Sequence, residues 1–135
     1  MLLSKLFIAL VLVLLPCAAF AAGGGQVSKV MTVGSEKNGG QISIPEGSVL
    51  EVKLQQPGAT GYSWEVVNLD QSRLQLVDSS SNPVKSGPVL GGPLLKKWHF
   101  KAVGKGQTEL RISLYRPWEG VDKAADNYVV LVQIQ

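Results

Sequence analysis

Residues able to do covalent or acid–base chemistry are scarce in this chain. His99 is the single histidine and Cys17 the single cysteine among 135 residues. A nucleophile needs a base within reach, and a metal needs several His, Cys or carboxylate ligands. One histidine on the polar side of an alternating run, between Trp98 and Phe100, supplies neither. Asp122 and Asp126 could be read as the carboxylate pair of a glycoside hydrolase, but charge that keeps a loop soluble explains them better. Gly87 to Gly92 is glycine-rich, yet it lacks the strand-loop-helix setting and the lysine of a phosphate cradle. No catalytic residue, metal ligand or cofactor is expected, and the chain reads as a binder rather than an enzyme.

Two stretches have the composition of a binding surface. Pro57-Gly58-Ala59-Thr60-Gly61-Tyr62 joins two alternating runs where a two-residue turn would suffice. It is small and uncharged, stiffened by Pro57 and freed at Gly58 and Gly61, so its backbone is open to close approach by another surface. Read alone, it is better explained as a connection that happens to contain Pro and Gly. Tyr115-Arg116-Pro117-Trp118 sets an arginine and a tryptophan around a proline. Aromatic residues and Arg dominate interface hot spots, and Pro117 lowers the entropy lost when the loop is ordered on binding. Trp118 could also fold back over an edge of the domain, whereas Trp64 and Trp98 sit in inward-facing series and are expected in the core.

The N-terminus reads as an export signal. Lys5 is a positive n-region, Leu6 to Leu15 an apolar h-region, and Ala19-Phe20-Ala21 an A-x-A cleavage site. Cleavage after Ala21 would remove residues 1–21 and leave a short leader, residues 22–26, before a single domain over 27–135. Leu14-Leu15-Pro16-Cys17 invites a lipoprotein alternative, against which Pro16 stands as a poor neighbour for an acylated cysteine. Cys17 leaves with the signal, so the exported protein has neither a disulfide nor a thiol, and its core alone must hold it together. The formal charge of +3 falls by one with Lys5. Basic residues are scattered, which disfavours nucleic acid as a partner. The expected location is periplasmic or secreted, with no membrane association after cleavage and a monomeric state.

The elements that must position these stretches are strands. Gln26–Val33, Gln41–Ile44, Val49–Gln55, Tyr62–Leu69, Leu74–Asp78, Leu94–Val103, Gln107–Tyr115 and Asn127–Ile134 are short runs, most with period-2 alternation. In Val49–Gln55, for example, Leu50, Val52 and Leu54 share one face and Glu51, Lys53 and Gln55 the other. No stretch holds helical periodicity over three turns. Seven or eight such strands predict an all-β fold, an immunoglobulin-like antiparallel β-sandwich, with a small closed barrel as the competing arrangement. Three connections exceed what turning requires: Gln56–Gly61, Lys85–Pro93 and Arg116–Asp126. Counting alternate crossings, they could gather at one end of a sandwich, as binding loops do.

Taken jointly, the loops resemble those of the chagasin-type inhibitors of papain-like cysteine proteases. That family carries, in order, an Asn-Pro-Thr-Thr-Gly-Tyr loop, a Gly-x-Gly-Gly loop and an Arg-Pro-Trp or Arg-Pro-Phe loop. Thr60-Gly61-Tyr62 matches the end of the first, with Pro57-Gly58-Ala59 in place of its beginning. Val89-Leu90-Gly91-Gly92 keeps the paired glycines of the second, and Arg116-Pro117-Trp118 matches the third. The Trp98-x-Phe100-x-Ala102 strand and Gly106 also resemble the family's scaffold. The resemblance implies a wedge of three loops that occludes the active-site cleft of a papain-like cysteine protease. The implied protease-binding residues are Pro57, Gly58, Ala59, Thr60, Gly61, Tyr62, Leu90, Gly91, Gly92, Arg116, Pro117 and Trp118. By the same resemblance, Thr60 and Gly61 cover the catalytic cysteine and histidine while the other two loops grip the cleft walls.

The alternative is a non-inhibitory exported sandwich that binds carbohydrate or mediates adhesion, with Trp118 and Tyr115 stacking on a sugar. The two readings separate at Thr60 and Gly61. A sugar binder has no use for them, whereas a cleft blocker loses affinity when Gly61 gains a side chain. A structural subunit of a secreted assembly would show a large apolar patch outside the loops, and no stretch of the sequence suggests one.

Overall fold

The computed structural model describes residues 29–84 and 91–135. The proposed signal segment, the leader and Leu90 lie outside the described residues. Eight strands follow in chain order: β1 Val30–Val33, β2 Gln41–Ile44, β3 Val49–Gln56, β4 Ser63–Asn68, β5 Leu74–Pro83, β6 Leu94–Ala102, β7 Gly106–Tyr115 and β8 Asp126–Ile134. Among the described residues the only helical pieces are 3-10 turns at Ser35–Lys37 and Val121–Lys123.

The strands form two four-stranded sheets, β1-β3-β6-β5 and β2-β8-β7-β4. Their facing surfaces are the inward halves of the alternating runs. Leu50, Val52 and Leu54 of β3 with Trp98, Phe100 and Ala102 of β6 meet Leu110, Ile112 and Leu114 of β7 and Tyr128, Val130, Val132 and Ile134 of β8. All of these side chains are buried, as is Trp64 of β4. Burying apolar area at about 25 cal/mol per Å² is the main force holding such a sandwich together, and it accounts for the inward parity of the apolar residues along β3, β6, β7 and β8. The architecture is the immunoglobulin-like β-sandwich expected from the alternation.

Two details depart from expectation. Not every pairing is antiparallel: β1 runs parallel to β3, and β2 parallel to β8. Period-2 alternation reports which face a residue occupies and is silent about strand direction, so the sequence pattern is the same for both arrangements. Strand β5 also continues through Ser79–Pro83, where a loop was expected after Asp78. A register shift between Leu76 and Asp78 breaks the alternation. Beyond it the strand is exposed on both faces and is held by its backbone bonds to β6.

Candidate functional site

The three long connections leave the same end of the sandwich. The first, Pro57–Tyr62, links β3 to β4 across the two sheets, and its base is fastened at several points. Trp64 Nε1 donates to the Gln55 carbonyl at 2.8 Å, and the Trp64 backbone N–H donates to Gln56 Oε1 at 3.0 Å. Lys96, on the inward parity of β6, reaches from one sheet to the other. Its Nζ donates to the Trp64 carbonyl at 2.6 Å and to Ser63 Oγ at 3.1 Å, and lies 3.5 Å from Glu65 Oε1. The same ammonium stands 5.6 Å from the centre of the Trp98 ring.

Above this base the backbone turns sharply. Ala59 has φ 54° and Gly61 φ 79°, the left-handed region that side-chain-bearing residues rarely occupy. The Tyr62 N–H donates to Thr60 Oγ1 at 3.3 Å across the intervening glycine. Ala59, Thr60 and Gly61 are exposed at the tip.

The third connection folds back onto the first. Arg116 Nε donates to the Thr60 carbonyl at 2.9 Å, while Nη1 pairs with Glu119 Oε1 at 3.2 Å. Its guanidinium lies 4.4 Å from the centre of the Tyr62 ring and 6.0 Å from that of Trp118. The Arg116 carbonyl accepts from the N–H groups of Glu119 and Gly120, at 2.9 and 3.1 Å, closing a tight turn around Pro117 and Trp118. The Trp118 indole crosses Gly61 so closely that a β-carbon added there would fall 3.0 Å from Cζ2 and nearer still to Cη2. Trp118 is nonetheless 71% exposed, so it sits beside the loop tip with most of its ring facing outward. The described part of the second connection, Gly91–Pro93, lies against the first at Gly58 and Ala59.

Pro57 through Tyr62, Gly91, Gly92, Arg116, Pro117 and Trp118 therefore form one cluster of loops at one end of the sandwich. Three of its supports escaped the sequence reading: Gln56, Lys96 and Glu119. Lys96 left a usable trace, because it shares the inward parity of Trp98, Phe100 and Ala102 at the end of a strand. Gln56 and Glu119 act through contacts that no sequence spacing announces.

His99 lies elsewhere, on the outer face of the first sheet. Nε2 is 2.6 Å from Glu51 Oε2, and Nδ1 bonds Asp78 Oδ1. The hydrogen bonds to Asp78 and then Glu51 hold the imidazole above its ordinary pKa of 6.5. Chiefly through that same imidazole, Glu51 is held below its ordinary 4.5. Asp126 Oδ1 accepts from the Asn127 N–H at 2.8 Å. Among the described residues no cluster of His, Cys, Asp and Glu could hold a metal, and no helix is long and apolar enough to cross a membrane.

Comparison with known proteins agrees with this fold. The chain is similar in structure to the cysteine protease inhibitor EhICP2 from Entamoeba histolytica, at 18% identity over 82% of this chain and 100% of that one, with a TM-score of 0.68. It is also similar to the Leishmania mexicana ICP, at 19% identity over 80% and 90% of the two chains, TM-score 0.53. PbICP-C, solved in complex with falcipain-2, aligns at 17% identity over 80% and 91%, TM-score 0.58. At such identities the likeness is one of fold. No curated protein sequence matches the chain at a significant level. A family model, that of the chagasin family peptidase inhibitors I42, matches residues 43–132. That span runs from β2 into β8 and takes in all three loops, and the chain belongs to the chagasin family of peptidase inhibitors.

Proposed function

We propose that the protein is a reversible inhibitor of papain-like cysteine proteases that puts its first loop into the active-site cleft and grips the cleft walls with the other two. One observation carries the reading: a slim, exposed backbone tip, Ala59–Gly61, is flanked by an outward-facing Trp118 and braced from both sides at one end of a rigid sandwich. Family membership supports inhibition of a peptidase. The cysteine class is supported by EhICP2 and by the pairing of PbICP-C with falcipain-2. On this reading Pro57 to Tyr62 is the edge that enters. Gly91 and Gly92 form one flank, and Arg116, Pro117 and Trp118 the other; Leu90, which the resemblance adds to the first flank, lies outside the described residues. Export through residues 1–21 would deliver a monomer to the periplasm or the exterior.

The backbone argues against cleavage of the inhibitor. A scissile peptide must lie extended and aligned with the attacking group. Left-handed Ala59 and Gly61 on either side of Thr60 deny that alignment. Inhibition at nanomolar level requires about 12 kcal/mol, and truncating a hot-spot tryptophan removes about 2–4 kcal/mol.

Titration of papain with the purified protein should give stoichiometric and reversible loss of activity, with the inhibitor recovered uncut. Trp118→Ala should raise the inhibition constant by about 30- to 1,000-fold. Gly61→Glu should also weaken inhibition, since its side chain would displace Trp118 and carry a charge into the cleft. No inhibition at micromolar concentration by a folded protein would return the chain to the non-inhibitory binding module. Cutting between Pro57 and Tyr62 at the rate of an ordinary peptide would end the argument from backbone shape.

A further inference from the structure

The contact between the first and second loops is made by bare backbone. A β-carbon added at Gly58 would lie 2.5 Å from the Gly92 carbonyl carbon and closer still to the carbonyl oxygens of Gly91 and Gly92. The obstruction is main chain, so no rotamer change could relieve it. The approach is matched from the other side, where Gly91 has φ 75° and a β-carbon on it would stand 3.0 Å from Ala59 Cβ. Gly58 also occupies the position at which the chagasin-type motif has proline, whose ring would need the same space.

We propose that Gly58 is a positioning residue that fuses the first and second loops into one thin edge, and so sets how narrow a protease cleft the protein can enter. The proposal rests on the cleft-blocking reading above. With glycine at 58, the Gly91–Gly92 strip rests directly on the first loop and supports Ala59 from behind. A single methyl there must part the two loops by about an ångström. A displacement of about 1 Å at a positioned contact costs as much as 100-fold. Gly58 belongs to no strand and to no part of the core, so its substitution should act on the edge without loosening the sandwich.

The test has two arms, one with protease and one without. Gly58→Ala should raise the inhibition constant for papain by about tenfold or more, mostly through faster dissociation, while the thermal midpoint stays within a few degrees of wild type. In a Cys17→Ser background, Ala59→Cys with Gly91→Cys should close a disulfide under mild oxidation. The 3.0 Å between the two β-carbon positions falls short of the about 3.5–4.5 Å that such a bond spans, so the loops must give by about half an ångström for it to close. An inhibition constant for Gly58→Ala within about twofold of wild type, or a cysteine pair that stays reduced, would overturn the proposal. Should Gly58→Ala fail to fold, the disulfide decides alone. A wild type that does not inhibit removes the cleft reading, and the disulfide still decides whether the first and second loops touch at Ala59 and Gly91.

Discussion

Arg116 shows how a residue suited to binding a partner is occupied within its own chain. Its Nε holds the Thr60 carbonyl, its Nη1 holds Glu119, and its face covers Tyr62. Only a planar, five-donor cation can do all three at once, because a lysine ammonium presents a point charge with no face and no fork. One hydrogen bond contributes about 0.5–1.5 kcal/mol, and an exposed cation–π contact about 0.5–1 kcal/mol. Removing both from the brace behind the loop tip should therefore weaken inhibition by about 5- to 60-fold. Arg116→Lys should lose nearly as much as Arg116→Ala, and the loss should change little between low salt and about 0.5 M. If Arg116 instead meets an acidic rim on the protease, Lys will keep most of the affinity and the effect of either change will shrink as salt rises. Inhibition constants for the two variants at two ionic strengths separate these outcomes. Trp118 is the complement: held over Gly61 along one edge, it keeps most of its ring available, which reduces the ordering cost on binding.

At the scale of the element, the outer face of the first sheet carries a polar ladder that crosses all four of its strands. Thr32 Oγ1 on β1 donates to Glu51 Oε1 on β3 at 3.2 Å, Glu51 meets His99 on β6, and His99 meets Asp78 on β5. Lys53 Nζ adds a contact with Glu51 Oε1 at 3.4 Å. Because His99 is raised above its ordinary 6.5, its contribution is complete below that value and is lost as pH rises through the higher folded value. Because Glu51 is lowered from 4.5, its contribution is complete above that value and is lost as pH falls through the lower folded one. The ladder is thus fully formed between pH 4.5 and 6.5. Tyr128, pushed up to about 12 chiefly by burial, stays neutral and takes no part in the fall above that range. Thermal midpoints should drop from about pH 6 to about pH 8.5 in wild type and drop distinctly less in His99→Gln. Equal drops in the two proteins would remove the ladder from the account. Alternation in the sequence told correctly which face His99 and Glu51 occupy. It could not tell that they are neighbours, because register between strands is set by pairing partners distant in the chain. The same limit explains why the loops were legible as long and unusual, from Pro57, Gly61 and Arg116–Trp118, while the Gly58 contact and the Arg116 brace were not.

For the molecule as a whole, the stabilising core and the proposed recognition edge lie in separate regions of the sandwich. The buried residues of β3, β6, β7 and β8 fill the space between the sheets, whereas Ala59, Thr60, Gly61 and Trp118 stand exposed at one end. Strand order places β7, which leads into the third loop, beside β4, which follows the first, and their register sets Tyr115 opposite Ser63. That pairing brings Arg116 within reach of Thr60, so the loop cluster depends on the sheets keeping their register more than on how densely the core is filled. Leu110 lies on β7 with no exposed surface, opposite Val130 and four residues before the strand's last inward side chain, Leu114. Leu110→Ala should cost about 2–5 kcal/mol through the cavity it opens. At about 4–8 °C per kcal/mol for a domain near this size, the midpoint should fall by at least about 8 °C. The titration of papain at 25 °C should nevertheless keep the wild-type stoichiometry and an inhibition constant within about twofold, because the folded fraction remains close to one while stability stays above about 2 kcal/mol. A large loss of inhibition by a Leu110→Ala protein that is still folded would show that core packing, and not register alone, shapes the loop cluster. In that case the Arg116 and Gly58 contacts would be consequences of the core's shape rather than the braces that hold the edge.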